Sequence, residues 1–245
     1  MLYDELADDY FETSLGKIHY KQSEDGIEKI IFLHGFGSST RSFSRFIGQI
    51  PDDISVYLVD LLGHGDSDAP EIDYTLDKQV QVVREFIAGK KLGKSYLFGH
   101  SYGGWIAAEI AQDAYKGKGV ILEDAVGLSE YFEDVEKGDS ESYKEEVLKE
   151  ALLMNAREQV IRSTLESNLQ SSYLTSKKLN RISVPTLILW GSEDKIVDVK
   201  YAKLFNDYIK VSSLEIIQGA DHTPHYLHAN DVKELLLRFV IYHTW

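Results

Sequence analysis

The chain has 245 residues, of which 43% are hydrophobic, and its formal net charge is −14. This length and apolar content predict one large α/β domain with a buried core. The negative charge argues against nucleic acid or an anionic membrane as a partner, because both attract basic surfaces. The sequence has no cysteine, which excludes disulfides, thiolate metal sites and cysteine nucleophiles.

Two features of the sequence argue against a membrane-spanning segment and a secretion signal. It contains no run of about 18 apolar residues, which a membrane-spanning helix needs. The first residues, MLYDELADDYFETS, are acidic and have neither the basic flank nor the apolar centre of a secretion signal. We therefore predict a cytoplasmic protein that acts on small molecules without membrane contact, and we leave its oligomeric state open.

Apolar runs followed by glycine-rich loops predict the buried strands of a parallel sheet. In chain order, these runs are IIFL at 30–33, VYLVDLL at 56–62, KSYLFGH, GVILEDAV, VPTLILWG and SSLEIIQG. Apolar residues spaced by three and four predict helices over 76–87 and in YGGWIAAEIAQDAY, VKYAKLFNDYI and DVKELLLRFVIY. This alternation predicts a mainly parallel sheet with helices on both faces.

Residues 127–181, here called the cap segment, differ in composition from the rest of the chain. Their first part, SEYFEDVEKGDSESYKEE, holds eight acids and two lysines, which we interpret as a solvated face. Apolar residues at helical spacing then predict two or three short helices: Val147, Leu148, Leu152, Val160, Ile161, Leu165 and Leu169. We predict a helical cap at 127–181, inserted into a core domain formed by 1–126 and 182–245.

The stretch GHSYGG places Ser101 between a predicted strand and a predicted helix. A sharp turn at this serine brings the flanking residues so close that a Cβ on Gly99 or Gly103 would clash. Gly104 further allows the helix to approach the sheet. The glycines therefore predict a strained turn that exposes the Ser101 hydroxyl.

A serine hydroxyl needs a base, an acid that orients the base, and donors for an oxyanion. His222 follows the last predicted strand, and Asp194 follows the strand before it. The loop HGFG follows the first apolar strand, so the backbone N–H of Phe36 can point at a substrate oxygen, together with that of Tyr102 at the helix start. Parallel strands place all these groups at one sheet edge.

The order of these motifs resembles that of the α/β-hydrolase superfamily, in its compact, lid-bearing esterase and lipase-like branch. The motifs are HGFG at 34–37, GHSYG at 99–103, GSED at 191–194 and GADH at 219–222. The resemblance covers about 28–126 and 184–240 and does not include the cap segment. It implies an α/β-hydrolase fold, with a mainly parallel central sheet flanked by helices and a small helical cap after the sixth strand.

The resemblance also implies a serine hydrolase that cleaves small carboxylic esters through an acyl-enzyme. In that reading Ser101 attacks, His222 moves the proton and Asp194 orients the histidine. The Phe36 and Tyr102 amides form the oxyanion hole, and no metal or organic cofactor is implied. Phe36, Tyr102, Tyr131 and Met154 are expected to line a modest pocket that favours short acyl chains.

Other activities of the same fold stay open. Thioesterases and perhydrolases share these motifs, and carbon–carbon bond hydrolases and aminopeptidases remain alternatives, as does a non-catalytic ligand-binding protein. Serine at position 101 argues against dehalogenases and epoxide hydrolases, which resemble one another in using an aspartate nucleophile.

Several residues compete with the predicted triad. Asp124 ends the strand GVILEDAV and is a second candidate for the acid. We expect His225 and His228 to be structural or pocket-lining, and His34 and His64 to hold loops by hydrogen bonds. His100, the variable residue of the serine motif, is assigned no chemistry.

Overall fold

The fold is taken from a computed structural model that describes residues 2–113, 115–154, 156–168 and 172–241. Leu169, one of the predicted apolar positions of the cap segment, lies outside the described residues. Within them, eight strands form one sheet in the order β1-β2-β4-β3-β5-β6-β7-β8. The strands are β1 (Ala7–Thr13), β2 (Gly16–Gln22), β3 (Glu28–Leu33), β4 (Ile54–Val59), β5 (Tyr96–His100), β6 (Gly119–Glu123), β7 (Thr186–Gly191) and β8 (Ser212–Ile217).

The six strands from β3 to β8 run parallel to one another, and β1 and β2 form an antiparallel edge. Every residue of β4, β5, β6 and β7 is buried, which explains their continuous apolar sequences. Because these strands are parallel, their carboxyl ends lie at one edge of the sheet, where the loops that follow them lie side by side.

Helices cover both faces of this sheet, as the sequence predicted. They are α1 (Ser44–Ile47), α2 (Leu76–Gly89), α3 (Tyr102–Gln112), α4 (Ser129–Lys137), α5 (Ser140–Leu153), α6 (Glu158–Asn168), α7 (Ser176–Leu179), α8 (Lys200–Tyr208), α9 (Pro224–Leu227) and α10 (Ala229–Ile241). One apolar core contains Phe86, Trp105 and Phe205 from α2, α3 and α8. A second core contains Phe46 and Leu236 from α1 and α10.

The hairpin of β1 and β2 was not predicted from the sequence. Most of β1 is exposed and three of its seven residues are acidic, so it lacks the apolar run that marks the other strands. Ile18 and Tyr20 of β2 pack in the apolar core, and His19 adds polar contacts: it bonds Asp8 through Nε2 and Asp60 through Nδ1, both at 2.7 Å. These bonds tie the edge strands to the loop that follows β4.

Helices α4, α5, α6 and α7 lie between β6 and β7, where the sequence predicted two or three helices. The division into a core domain and a cap at 127–181 stays an interpretation. Two acids of the acidic stretch also make hydrogen bonds to α8: Glu130 in α4 accepts one from Tyr208 at 2.6 Å. Asp134 accepts bonds from Lys200 and Tyr201 at 2.8 and 2.7 Å. Acids of α4 thus bind the cap segment to α8.

Among the helices of the described residues, none combines the length and apolar character needed to cross a membrane.

Candidate active site

Ser101 lies in the turn between β5 and α3, with φ of 52° and ψ of −112°. A non-glycine residue rarely adopts this left-handed conformation, which indicates strain at the turn. A Cβ on Gly99 would overlap the Gly103 carbonyl oxygen, as the sequence predicted. The explanation for Gly103 was wrong, however, because its Cβ would overlap the carbonyl oxygen of Leu33 in β3. Gly103 therefore lets α3 begin directly against the neighbouring strand.

The structure brings Ser101, His222 and Asp194 into one hydrogen-bonded row. His222 Nε2 lies 3.0 Å from Ser101 Oγ, and His222 Nδ1 lies 2.7 Å from Asp194 Oδ2. The Asp194 side chain is fully buried, whereas 12% of the His222 side chain is exposed. The backbone amides of Ile196 and Val197 donate to Asp194 Oδ1 at 2.8 and 2.9 Å. They leave Oδ2 directed at the imidazole.

Asp124, the second candidate for the acid, is not the partner of the His222 ring. Its Oδ1 accepts a hydrogen bond from the Gly191 amide at 2.9 Å. One side-chain atom each of Asp124, Asp194 and His222 nevertheless lie within 4.8 Å of one another. The two carboxyl groups are therefore neighbours, and Asp194 is the one that contacts the histidine.

His100 has a structural role that the sequence analysis missed. Its Nε2–H donates to the backbone oxygen of His222 at 2.7 Å and so holds the loop that carries this histidine. A Cβ on Gly35 would come within 2.8 Å of His100 Nδ1, so the loop after β3 packs on the ring. Burial keeps the pKa of His100 well below its usual range, and His225 and His222 add to the effect. His100 is therefore neutral.

A second histidine and carboxylate pair lies directly behind the first. His225 Nδ1 lies 2.5 Å from Glu123 Oε2, and the His225 amide donates to Glu123 Oε1 at 3.1 Å. Both side chains are buried, and the His225 ring packs against Phe43 and His100 at centroid distances of 4.9 and 4.8 Å. His225 thus has a structural environment, as expected. His228 makes a 3.4 Å contact with Asp231.

His34 and His64 hold loops at the sheet edge, as the sequence predicted. His34 Nδ1–H donates to the Gly35 oxygen at 2.8 Å, and His34 Nε2 accepts from the Leu61 amide at 3.0 Å. His64 Nδ1–H donates to the Leu62 oxygen at 3.2 Å. Burial lowers the pKa of His34, and burial together with the nearby His34 lowers the pKa of His64 to about 3.

Two backbone amides near Ser101 are free to donate. Tyr102 is the first residue of α3, so its N–H has no partner within the helix. Phe36 belongs to the loop after β3, and its ring packs edge-on against that of Tyr102 at 5.9 Å. A Cβ on the preceding Gly35 would come within 3.4 Å of Ser101 Cβ, so this loop passes beside the serine. Within the described parts of the chain, neither amide has an acceptor.

A cavity of about 1040 Å³ opens above Ser101 and His222. Phe36, Tyr102, Tyr131 and Met154 line it, together with the aromatic residues Trp105, Phe132 and Tyr143. The cavity is larger than the modest pocket expected, and Val147 and Leu165 of the cap segment also line it. Its volume lies at the upper end of the range of small-molecule sites.

The mouth of this cavity is rich in exposed apolar side chains. Leu153 and Met154 at the end of α5 are 77% and 50% exposed, and Ile196 and Tyr226 are 45% and 39% exposed. All four line the cavity. An apolar substrate chain that extends out of the cavity therefore still meets apolar surface.

Comparisons with known proteins find similar sequences and a similar fold. A protein of Mycoplasma genitalium that carries an esterase/lipase name is 27% identical over 223 residues, covering 80% of this chain and 82% of its own. Lipase 3 of Moraxella sp. is 24% identical over 228 residues, covering 80% and 72%. A thermophilic esterase from Thermogutta terrifontis has a similar structure, with a TM-score of 0.79, 19% identity and coverage of 96% and 97%.

The sequence profile described as the alpha/beta hydrolase family matches residues 30–235, which include Ser101, Asp194 and His222. The match spans most of the sheet and the segment between β6 and β7. The chain therefore belongs to the alpha/beta hydrolase family.

Proposed function

We propose that the protein is a serine hydrolase that cleaves small carboxylic esters through an acyl-enzyme. The observation that carries this proposal is the row of hydrogen bonds from Ser101 Oγ through the His222 ring to Asp194. The apolar cavity above Ser101 offers room for an ester with a substantial acyl or alcohol group. Relatives named as esterases and lipases support an ester substrate.

The first half of the reaction forms the acyl-enzyme. His222 Nδ1–H donates to Asp194, which leaves the lone pair on Nε2 to accept the Ser101 proton as Oγ attacks the ester carbonyl. The carbonyl oxygen becomes an oxyanion, which the Phe36 and Tyr102 amides stabilise. The His222 imidazolium then gives its proton to the departing alcohol oxygen, and the acyl group stays on Ser101.

The second half hydrolyses that acyl-enzyme. A water molecule gives a proton to His222 Nε2 as its oxygen attacks the acyl carbonyl, and the same two amides stabilise the second oxyanion. His222 then returns the proton to Ser101 Oγ, which leaves as the free carboxylic acid is released. The amide donors of Asp194 and its bond to the imidazole hold this carboxylate in place throughout.

The size of the cavity changes the expected acyl preference. Each additional buried methylene contributes about 0.8 kcal/mol while room remains. The sequence predicted a preference for short acyl chains, but the volume and the apolar lining favour longer chains. We expect kcat/KM to rise beyond hexanoate before it falls.

The test combines a panel of p-nitrophenyl esters, from acetate to dodecanoate, with a fluorophosphonate label mapped by mass spectrometry. We expect the label on Ser101 and loss of turnover in Ser101→Ala. Ser42→Ala is the matched control, because Ser42 lines the same cavity and should leave both signals intact. Labelling of another residue, or turnover that persists in Ser101→Ala, would contradict the proposal.

A further inference from the structure

Asp124 occupies an unusual place behind the candidate triad. It follows β6 directly, its side chain is fully buried, and its φ of 45° lies in the left-handed region. This backbone conformation is strained for a residue other than glycine, so the surrounding contacts must hold it. The proposed reaction assigns Asp124 no task, although its carboxyl group lies beside that of Asp194.

The number of donors differs between the two neighbouring carboxyl groups. Asp194 accepts from the amides of Ile196 and Val197 and from His222 Nδ1. Asp124 accepts one bond at Oδ1, from the Gly191 amide, and its buried Oδ2 has no partner among the residues that the structure describes. The negative charge is therefore better stabilised on Asp194.

The charged groups near Asp124 make its own ionisation unfavourable. Glu123 precedes it on β6, Asp194 follows β7, and His222 follows β8. Burial raises the pKa of Asp124 well above its usual range, and the negative charges of Glu123 and Asp194 raise it further. Two adjacent buried carboxyl groups avoid repulsion when one of them keeps a proton.

We propose that Asp124 is a protonated carboxylic acid that accepts from the Gly191 amide, donates its proton to the Asp194 carboxylate, and so positions Asp194 toward His222. The proposal rests on the proposed function of the Ser101, His222 and Asp194 row. Asp124 does not touch the substrate or the reacting atoms. It is a positioning residue, and it adds a further donor to Asp194 without adding charge to the site.

Two substitutions test whether Asp124 acts as a neutral hydrogen-bond donor. In Asp124→Asn, the amide oxygen can accept from Gly191 and the amide NH₂ can donate to Asp194. We expect its kcat and KM to stay within about threefold of the wild-type values, and the shape of its pH–rate profile to be unchanged. Asp124→Leu removes both bonds, and we expect kcat to fall roughly 10- to 100-fold with little change in KM, because Asp194 and His222 lose alignment.

A spectroscopic measurement tests the proton without using activity. In protein with ¹³C-labelled aspartate, the infrared C=O stretch of a protonated carboxylic acid should be present at pH 7 and absent in Asp124→Asn. The Ser101→Ala variant should keep this band, so a failure of the proposed function would leave the test intact. Absence of the band in the wild-type protein would overturn the proposal. So would a large loss of kcat in Asp124→Asn together with a shift in the acidic limb of its pH–rate profile.

Discussion

Two histidine and carboxylate pairs lie at the same sheet edge, with their histidines three residues apart. In both pairs the ring Nδ1 bonds a buried carboxylate, at 2.7 Å for His222 with Asp194 and 2.5 Å for His225 with Glu123. The His222 side chain is 12% exposed and its Nε2 meets Ser101 Oγ, whereas the His225 side chain is 1% exposed and packs against Phe43. The bond to a carboxylate is therefore common to both histidines. The exposure of the side chain and the contacts of the other ring atoms distinguish the candidate base from the structural histidine.

The largest expected difference between the pairs is in activity. His222→Ala should lower kcat by roughly 10³-fold or more, because members of a triad act as a unit. His225→Ala should instead lower the free energy of unfolding by about 3 to 5 kcal/mol, since it leaves the buried Glu123 without its partner. Ester turnover and urea unfolding, measured on both variants, test this. Full activity in His222→Ala would move the base to another histidine.

Replacing the acids sharpens the same contrast. Asp194→Asn should lower kcat by up to about 10⁴-fold, because an amide favours the wrong tautomer of His222. Glu123→Gln should keep most of its activity per folded molecule and lose stability, because among the described residues the Glu123 carboxylate forms its hydrogen bonds with His225, which is not a member of the candidate triad. Circular dichroism melting alongside kcat distinguishes the two effects. If Asp124→Asn were more damaging than Asp194→Asn, the acid would be Asp124.

His100 joins the two pairs, and its replacement should have an intermediate effect. His100→Ala removes the bond to the His222 oxygen and should lower kcat by roughly tenfold, because the histidine loop loses a constraint. His100→Gln offers an N–H at a similar position and should recover most of that loss. Equal activity in both variants would show that the bond does not position His222.

The last expected effect is a pH dependence of stability. Burial holds the pKa values of His34, His64 and His100 below the unfolded value of about 6.5, so all three are neutral in the fold. Unfolding lets each bind a proton when the pH is below that value. The contribution of these three histidines to stability is therefore fully present above about pH 6.5 and falls on acidification, by up to about 1.4 kcal/mol per pH unit for each of them. The free energy of unfolding, measured with urea at several values from pH 7 to pH 5, should fall less steeply with decreasing pH in His100→Gln than in the wild type.

The sequence predicted the central strands and each member of the candidate triad, because strand ends and short motifs are local signals. It could not pair His225 with Glu123, which lies 102 positions away and has no motif of its own. Helical spacing in the cap segment identified Val147 and Leu165 as apolar positions. It could not tell whether they pack onto the core or border an open cavity, because that depends on how the cap segment sits on the sheet domain.

The contact between the cap segment and the loop after β3 limits which cap segments could replace the present one in this protein. Gly37 has a φ of 69°, and a Cβ added to it would lie 2.6 Å from the Cβ of Ala151 in α5. Ala151 is itself 1% exposed, so a larger residue there has no room against this loop. A transplanted cap from a relative would therefore need a small side chain at the position of Ala151, or it would displace the loop that carries the Phe36 amide.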